Sequence, residues 1–130
     1  MGAFDFALTS QPETFTRLQR HFDFILDTVS AEHDYNMYLS LLGTNGTMVC
    51  VGAPPTPAQI PAFNLIFGRR SIGGSLIGGI PETQEMLDYC AANNIASDVE
   101  VIDIKDINES YERMLKGDVK YRFVIDMATL

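Results

Sequence analysis

The sequence predicts an α/β fold in which parallel strands form a sheet with helices on both faces, a three-layer arrangement. Short apolar segments alternate along the 130 residues with longer segments whose apolar residues recur every three or four positions, the spacing of one helix face. Strands that alternate with helices of this length are typical of parallel β-α-β units with right-handed crossovers. A hydrophobic content of 46% and a charged content of 20% are ordinary for a globular chain that buries one core.

Net charge and cysteine content limit which classes of binding partner and which cellular compartment the sequence predicts. The chain carries nine Lys and Arg against 17 Asp and Glu, a formal net charge of −8. A negative field repels phosphate backbones and acidic lipids, so we expect neither nucleic acid nor membrane as a partner. The first residues lack the basic start and the long apolar core of a signal peptide, which predicts a cytoplasmic location. Cys50 and Cys90 lie in apolar runs and are predicted to be buried, reduced thiols rather than a disulfide.

The chain begins with a predicted strand and a predicted helix. Residues 3–8 are aromatic and apolar, as in a short strand. Ser10 is the predicted N-cap of the helix, because Pro12 suits a first helical turn and Glu13 follows Ser10 at the capping-box spacing. This helix is predicted to run to about His21.

A strand, a helix and a second strand follow in the prediction. Residues 22–27 have a nearly continuous apolar centre, which is typical of a strand covered on both faces. Residues 32–42 are predicted as a helix, since four of their large side chains share one face. These are Tyr35, Tyr38, Leu39 and Leu42. Gly43 and the Asn45-Gly46 pair are predicted to end this helix as turn residues, ahead of a strand over residues 47–51.

A proline-rich loop comes next. Residues 52–57 contain three prolines and can therefore form neither a helix nor a central strand. Residues 61–67 are predicted as a short helix, and Ser71 to Ile77 as a glycine-rich strand. Because ligands bind parallel sheets outside the carboxyl ends of the strands, the candidate rim comprises residues 28–30, 52–54 and 76–78.

The last part of the chain predicts a helix and then a strand-helix-strand segment. The first helix covers residues 81–93, and the strand covers residues 99–104. The second helix is predicted to be capped by Asp106 and stopped by Gly117. Residues 121–127 form the last predicted strand.

The glycine-rich segment at residues 73–79 matches neither of the phosphate-binding motifs that it suggests. Ser75 or Leu76 interrupts every register of a dinucleotide fingerprint, and Gly79 is followed by Ile80 rather than by the Lys of a P-loop. We interpret these glycines as positions where a backbone or a ligand approaches closely.

Metal binding and nucleophilic catalysis have little support in the sequence. The two histidines are His21 and His33, no Cys-x-x-Cys or His-x-x-x-His occurs, and the adjacent ligand-type residues 32–34 would not face one another on a helix. We predict no metal site and, without a nucleophile elbow, no catalytic residue. The basic residues 69–70 and those within 116–122 fit either a solvated surface or contacts to phosphate oxygens.

Four segments, in their order and spacing, carry a family resemblance. They are FDFILDT at residues 22–28, GTMVCVGAP at 46–54, GGSLIGG at 73–79 and DVKYRFVID at 118–126. Together they resemble the C-terminal part of zinc-dependent, medium-chain alcohol dehydrogenases, of the NADP-preferring cinnamyl alcohol dehydrogenase type. The resemblance extends over nearly the whole chain.

The resemblance implies a partial Rossmann-type sheet with two regions. Residues 1–80 would be the second half of the nucleotide-binding domain, and residues 81–130 a helix and a strand-helix-strand segment that returns to the catalytic domain. The strands at 99–104 and 121–127 would then lie apart from the main sheet or pair with each other.

The function implied is that of a fragment of an NAD(P)-dependent alcohol dehydrogenase, which transfers hydride between an alcohol or aldehyde and a nicotinamide cofactor. The family's glycine fingerprint and zinc ligands have no counterpart in the sequence, so we expect the chain to be inactive alone and zinc to belong to the full-length family. The alternative is a stand-alone, non-catalytic Rossmann-like binding or oligomerisation module.

The resemblance also implies a cofactor-binding set with no catalytic or metal-binding member. Residues 28–30 would lie near the nicotinamide ribose, residues 52–54 beside the nicotinamide, and residues 75–77 against its carboxamide, while an arginine would reach the phosphates. The set is Thr28, Val29, Ser30, Gly52, Ala53, Pro54, Ser75, Leu76, Ile77 and Arg122. We expect NADP binding by the chain alone to be weak or absent, with a small alcohol or aldehyde as the other partner of the full-length protein.

An exposed strand edge predicts self-association. Ser71 to Ile77 would lie at the edge of the sheet, and this apolar segment contains neither the Lys nor the Pro that usually blocks edge pairing. The resemblance points the same way, to a homodimer joined across this edge. The alternative is a monomer in which the helix at residues 61–67 or the C-terminal strand covers the edge.

Overall fold

A computed structural model describes residues 3–130 and confirms the α/β class with a parallel sheet. The chain forms two compact units, the first ending at Ile77 and the second beginning at Gly78. Each unit has its own sheet, of three strands in the first and two in the second.

The first unit is a parallel sheet joined through helices. Its elements are α1 (Pro12–Arg17), β1 (Phe22–Asp27), α2 (Tyr35–Leu41), β2 (Leu42–Cys50), α3 (Phe63–Ile66) and β3 (Ser71–Gly74). The strands lie in the order β1-β2-β3, and both pairs are parallel. Ile25, Met48 and Ile72 are register partners across the sheet, so their side chains lie side by side on one face.

That face carries the core of the first unit. Leu39, Leu42 and Met48 are fully buried, and Ile25 and Ile72 pack against them. The opposite face of β1 differs from the prediction of cover on both sides, because Phe24 and Leu26 are more than half exposed. Helices of this unit therefore cover one face of β1 rather than two.

The predictions for the first 21 residues are partly wrong. Residues 3–8 form no strand, because no strand of the first unit pairs with them, and Phe4 and Phe6 are exposed. The N-cap of α1 is Gln11 rather than Ser10, and the helix ends at Arg17. Arg20 then adopts a positive φ of 57°, which turns the chain into β1.

The second helix starts and ends differently from the prediction. The Asp34 carboxylate accepts a hydrogen bond from the Asn36 amide at 2.9 Å, and this N-cap places the start of α2 at Tyr35. The helix then passes directly into β2 at Leu42 without the predicted turn. The register with β1 is irregular near this point, where Asn45 has a φ of 64°.

The third strand is shorter than predicted. Pairing ends where β2 ends, and the last bond runs from the Ser75 amide to the Cys50 carbonyl oxygen at 3.1 Å. β3 therefore stops at Gly74, and residues 75–77 leave the sheet as a loop. β3 is an edge strand of the described sheet, as predicted.

The second unit contains a long helix and a two-stranded sheet. Its elements are α4 (Ile80–Ala92), β4 (Glu100–Ile102), α5 (Ile107–Leu115) and β5 (Phe123–Ile125), with single 3₁₀ turns before α5 and after β5. β4 and β5 pair with each other in parallel, which confirms the expectation for these two strands. Gly117 follows α5 with a φ of 72°, as predicted for its stop.

One arginine fastens α5 to this sheet. Arg113 donates to both carboxylate oxygens of Glu100 and, through Nε, to Asp118 at 2.9 Å. Its guanidinium also lies 4.9 Å from the centre of the Phe123 ring. The hydrogen bonds from Arg113 lower the pKa of Glu100, so the carboxylate stays ionised in this contact.

Candidate functional site

The carboxyl ends of β1, β2 and β3 bring three loops to one edge of the first unit. The Asp27 carbonyl oxygen accepts hydrogen bonds from the amides of Val51 at 2.8 Å and Gly52 at 3.3 Å. The bond from Ser75 to Cys50 ties the end of β3 to β2 in the same way. We name residues 28–30, 51–54 and 75–77 the carboxyl edge. Nine of the ten candidate cofactor residues belong to it.

Two of these loops pack backbone against backbone at Gly52. A Cβ added to Gly52 would lie 2.6 Å from the Val29 carbonyl oxygen and 2.9 Å from the Thr28 carbonyl carbon. Both atoms belong to the backbone and cannot rotate away as a side chain could. Glycine is therefore required where residues 28–30 meet residues 52–54.

A buried carboxylate-imidazole pair supports these loops from beneath. Asp27 Oδ1 accepts the Val29 amide at 3.0 Å, and Asp27 Oδ2 lies 3.0 Å from His33 Nε2. His33 Nδ1 lies 2.8 Å from the Ala31 carbonyl oxygen. The Asp27 and His33 side chains are only 7% and 12% exposed. The hydrogen bond to Ala31 raises the pKa of His33, burial opposes this, and Asp27 raises the pKa further.

A tyrosine and a thiol adjoin the pair. Burial raises the pKa of both Tyr35 and Cys50, and the charge of Asp27 adds to the rise in each. A thiol that stays protonated at neutral pH is a poor nucleophile, so Cys50 fits a structural role. Cys50 and Cys90 are both free, as predicted, but each is half-buried rather than fully buried.

An open groove of about 660 Å³ lies beside the carboxyl edge. His33 and Tyr35 line one side of it, and the proline-rich loop with Pro54 lines another. The Asn36 side chain holds the walls together, because it donates to the Gln59 carbonyl oxygen at 2.9 Å and accepts from Asn64 at 2.7 Å. The groove has the volume of an ordinary small-molecule site.

The third loop of the edge offers apolar surface and backbone donors. Leu76 and Ile77 are 89% and 91% exposed. Within residues 3–130, the backbone amides of these two residues find no hydrogen-bond acceptor. Such amides can donate to a ligand carbonyl, so the donor set fits a carboxamide.

Arg122 is the one candidate outside the first unit. It belongs to the second unit, where its carbonyl oxygen accepts the Glu100 amide at 3.1 Å. Its side chain is exposed, and no carboxylate among the described residues forms an ion pair with it. The guanidinium therefore keeps its capacity to bind an external anion. Arg70, by contrast, donates to the carbonyl oxygens of Leu42 and Asn64, a structural role.

The described residues do not fit a zinc ion. Across residues 3–130, no three His, Cys, Asp or Glu side chains come together as a metal would need.

The helices described there also include none with both the length and the apolar character to cross a bilayer.

Sequence reasoning missed the group beneath the carboxyl edge. Asp27 and His33 are six residues apart across a loop, and no motif of fixed spacing joins them. One signal was available: an acidic residue that ends an otherwise apolar strand needs a partner when it is buried. The histidine in the next loop was the nearest candidate partner.

The family model described as zinc-binding dehydrogenase matches residues 4–92. The chain belongs to the zinc-binding dehydrogenase family. The probable formaldehyde dehydrogenase AdhA of Bacillus subtilis is 55% identical over all 130 residues, and these cover 37% of that protein. The NADP-dependent alcohol dehydrogenase C 1 of Mycolicibacterium smegmatis is 52% identical, with the same coverage. The chain thus spans about a third of the length of these relatives.

Solved structures of this family agree with the fold. A cinnamyl alcohol dehydrogenase of Sorghum bicolor superposes with a TM-score of 0.89 at 38% identity, over 98% of this chain and 36% of the sorghum chain. The CAD of Helicobacter pylori complexed with NADP(H) gives a TM-score of 0.73 at 39% identity, over 88% and 34% of the two chains. The predicted resemblance to zinc-type medium-chain alcohol dehydrogenases is confirmed, and the match is to their C-terminal part.

Proposed function

We propose that the carboxyl edge binds the nicotinamide end of NADP(H) in an alcohol dehydrogenase that interconverts small alcohols and aldehydes. The observation that carries the proposal is the convergence of three loops at the ends of neighbouring parallel strands, the place where such sheets bind nucleotides. One relative is named an NADP-dependent alcohol dehydrogenase and one related structure is a complex with NADP(H), which supports NADP(H) as the cofactor.

Each loop has a task in the proposed site. The Leu76 and Ile77 amides donate to the nicotinamide carboxamide, and exposed Leu76 lies against the ring. Gly52, Ala53 and Pro54 flank the ring from the neighbouring strand. Thr28, Val29 and Ser30 border the ribose. When bound, the cofactor supplies the hydride acceptor or donor, and the loops orient it and keep water from one face.

The second unit has a separate task in this proposal. Exposed Arg122 binds cofactor phosphate oxygens, which a guanidinium meets in a bidentate way. Residues 1–80 then act as part of a nucleotide-binding domain and residues 81–130 as a segment of the catalytic domain. Cytoplasmic location and the lack of nucleic-acid or membrane partners stay predictions from the sequence.

Nicotinamide mononucleotide tests the carboxyl edge, because it contains only the half of the cofactor that the edge is proposed to bind. We expect its addition to shift the backbone NMR signals of residues 28–30, 52–54 and 75–77. Because binding by the chain alone is expected to be weak, the titration extends to millimolar ligand, and unchanged signals in all three loops at that concentration would refute the proposal.

We also propose a homodimer through the segment from Ser71 to Ile77. β3 is an edge strand of the described sheet, so its outer backbone groups are available to a second copy. A two-fold axis would pair each β3 antiparallel with its copy.

A lysine on this edge is expected to abolish the dimer. A Cβ at Gly73 meets no atom within 4 Å, so Gly73→Lys places a charge on the edge without an internal clash. Light scattering at micromolar concentration should give a dimer mass for the wild type and a monomer mass for the variant. Thr56→Lys, which adds the same charge in the exposed proline-rich loop, should stay dimeric. A monomeric wild type, or a dimeric Gly73→Lys, would contradict the proposed interface.

A further inference from the structure

The Asp27–His33 pair connects one ionisable ring to two loops of the carboxyl edge. The Asp27 side chain accepts a hydrogen bond from the Val29 amide, and the Asp27 backbone carbonyl oxygen accepts from the amides of Val51 and Gly52. His33 holds the other carboxylate oxygen of Asp27 at 3.0 Å. We infer that His33 is a positioning residue: its protonated ring fixes Asp27 and thereby the loops at residues 28–30 and 51–54, and these loops loosen when the ring loses its proton. The expected effect on NADP binding rests on the proposed function, whereas the effect of His33 on the loops does not.

The hydrogen bonds of His33 require the imidazolium form. Nδ1 faces the Ala31 carbonyl oxygen and Nε2 faces the Asp27 carboxylate, and both of these groups accept. A neutral ring carries one N–H and must give up one of the two bonds. The Asp27 carboxylate is nearly buried, whereas the Ala31 carbonyl oxygen is exposed to water. A neutral ring with its proton on Nδ1 leaves the buried carboxylate without its donor, and one with its proton on Nε2 turns a lone pair toward the Ala31 oxygen, so either neutral form destabilises the native arrangement.

Among the ionisable groups that face the imidazole, His33 itself is the one whose charge changes near neutral pH. Asp27 on β1 and Asp34 at the start of α2 both favour the positive charge. The ring centroids of Tyr35 and Tyr38, both on α2, lie 4.8 and 5.4 Å from the centroid of the imidazole ring. The raised pKa values keep Tyr35, and Cys50 on β2, protonated between pH 6 and 8. The charge that changes in this range is therefore that of His33.

The direction of the pH effect follows from the raised pKa of His33. The folded chain binds the proton more tightly than the unfolded chain, whose histidine titrates near 6.5. The stabilisation is complete below that value and is lost as the pH rises through the folded pKa. The loops should therefore be firmer at pH 6 than at pH 8.

NMR on the whole 130-residue chain can measure this without cofactor. The His33 ring nitrogens should report an imidazolium at pH 6 that titrates above 6.5. Hydrogen exchange of the Val29, Val51 and Gly52 amides, corrected for its intrinsic pH dependence, should accelerate between pH 6 and 8. The expected acceleration is up to about tenfold for each unit by which the pKa of His33 exceeds 6.5. His21→Gln, which removes the other histidine, should leave the profile unchanged.

The variant Asp27→Asn separates positioning by charge from mere packing. Its amide oxygen can still accept from Val29, and its NH₂ group can donate to a neutral Nε2 while Nδ1–H keeps the bond to Ala31. We expect the pKa of His33 to fall from its wild-type value, because the charge of Asp27 no longer favours the imidazolium, and the pH dependence of exchange to shrink, with the amide spectrum otherwise native. A packing role alone would leave the profiles of the wild type and the variant alike.

Two results would overturn the inference. One is a neutral His33 in the wild type at pH 6, and the other is equal pH dependence of exchange in wild type and Asp27→Asn. Neither readout contains a nicotinamide, so failure of cofactor binding leaves both interpretable. If the inference and the proposed function both hold, nicotinamide mononucleotide should bind more tightly at pH 6 than at pH 8 in the wild type, and this difference should be smaller in Asp27→Asn.

Discussion

Replacing Gly52 with valine is expected to lower the free energy of unfolding by about 1–3 kcal/mol, the usual cost of overpacking a fixed site. The new Cβ would lie 2.6 Å from the Val29 carbonyl oxygen, so one of the two loops must move. Its movement also strains the bonds from Val51 and Gly52 to the Asp27 carbonyl oxygen. Urea unfolding followed by far-UV circular dichroism measures the change, since the chain contains no Trp for fluorescence.

Gly73→Val is the matched control for this substitution. It adds the same side chain to the same sheet, but a Cβ there meets no atom within 4 Å. Valine adds no charge and leaves the backbone N–H and C=O groups of this strand edge free to pair with a second copy, so the unfolding free energy should not fall more than about 0.5 kcal/mol below that of the wild type. Equal stability of the two valine variants would contradict the close packing of loops 28–30 and 52–54.

The chain alone is expected neither to bind zinc nor to oxidise alcohols. Catalytic zinc needs at least three converging protein ligands, and residues 3–130 bring no such group together. Metal analysis after zinc loading should find far less than one zinc per chain. Assays with NADP and an aromatic alcohol should stay at the rate of the blank, and calorimetry should give an affinity for NADP weaker than micromolar.

This expectation has clear contrary outcomes. Near-stoichiometric zinc that survives dialysis would mean that the ligands assemble in a way the described residues do not show. Turnover above the blank would refute the expectation of an inactive chain. Micromolar affinity for NADP would refute the expectation of weak binding by the chain alone.

The sequence predicts the order of elements better than their ends. Alternating periodicity locates β1, β2 and β3 and their parallel pairing, because apolar spacing reports which face is buried. It fails for residues 3–8, whose pattern suits a strand but which no strand of the first unit pairs with. Strand formation depends on a partner, and local composition does not reveal whether one is present.

The candidate site shows the same division between local pattern and tertiary contact. The rim residues follow from topology, since loops after parallel strands must gather at one edge. The Asp27–His33 pair depends on how the loop between β1 and α2 folds back, which no residue spacing encodes. The position of Gly52 could be read as a loop glycine, but its contact with the Val29 carbonyl oxygen appears only in three dimensions.

A comparison of the two halves of the cofactor tests the proposed function most directly. Backbone NMR signals of the 130-residue chain are followed during separate titrations with nicotinamide mononucleotide and with 2′,5′-ADP, at equal ionic strength. The carboxyl edge is proposed to bind the nicotinamide end, so nicotinamide mononucleotide should shift the signals of residues 28–30, 52–54 and 75–77, and 2′,5′-ADP should leave them in place. Shifts of these loops with 2′,5′-ADP alone, or with neither ligand, would contradict the assignment.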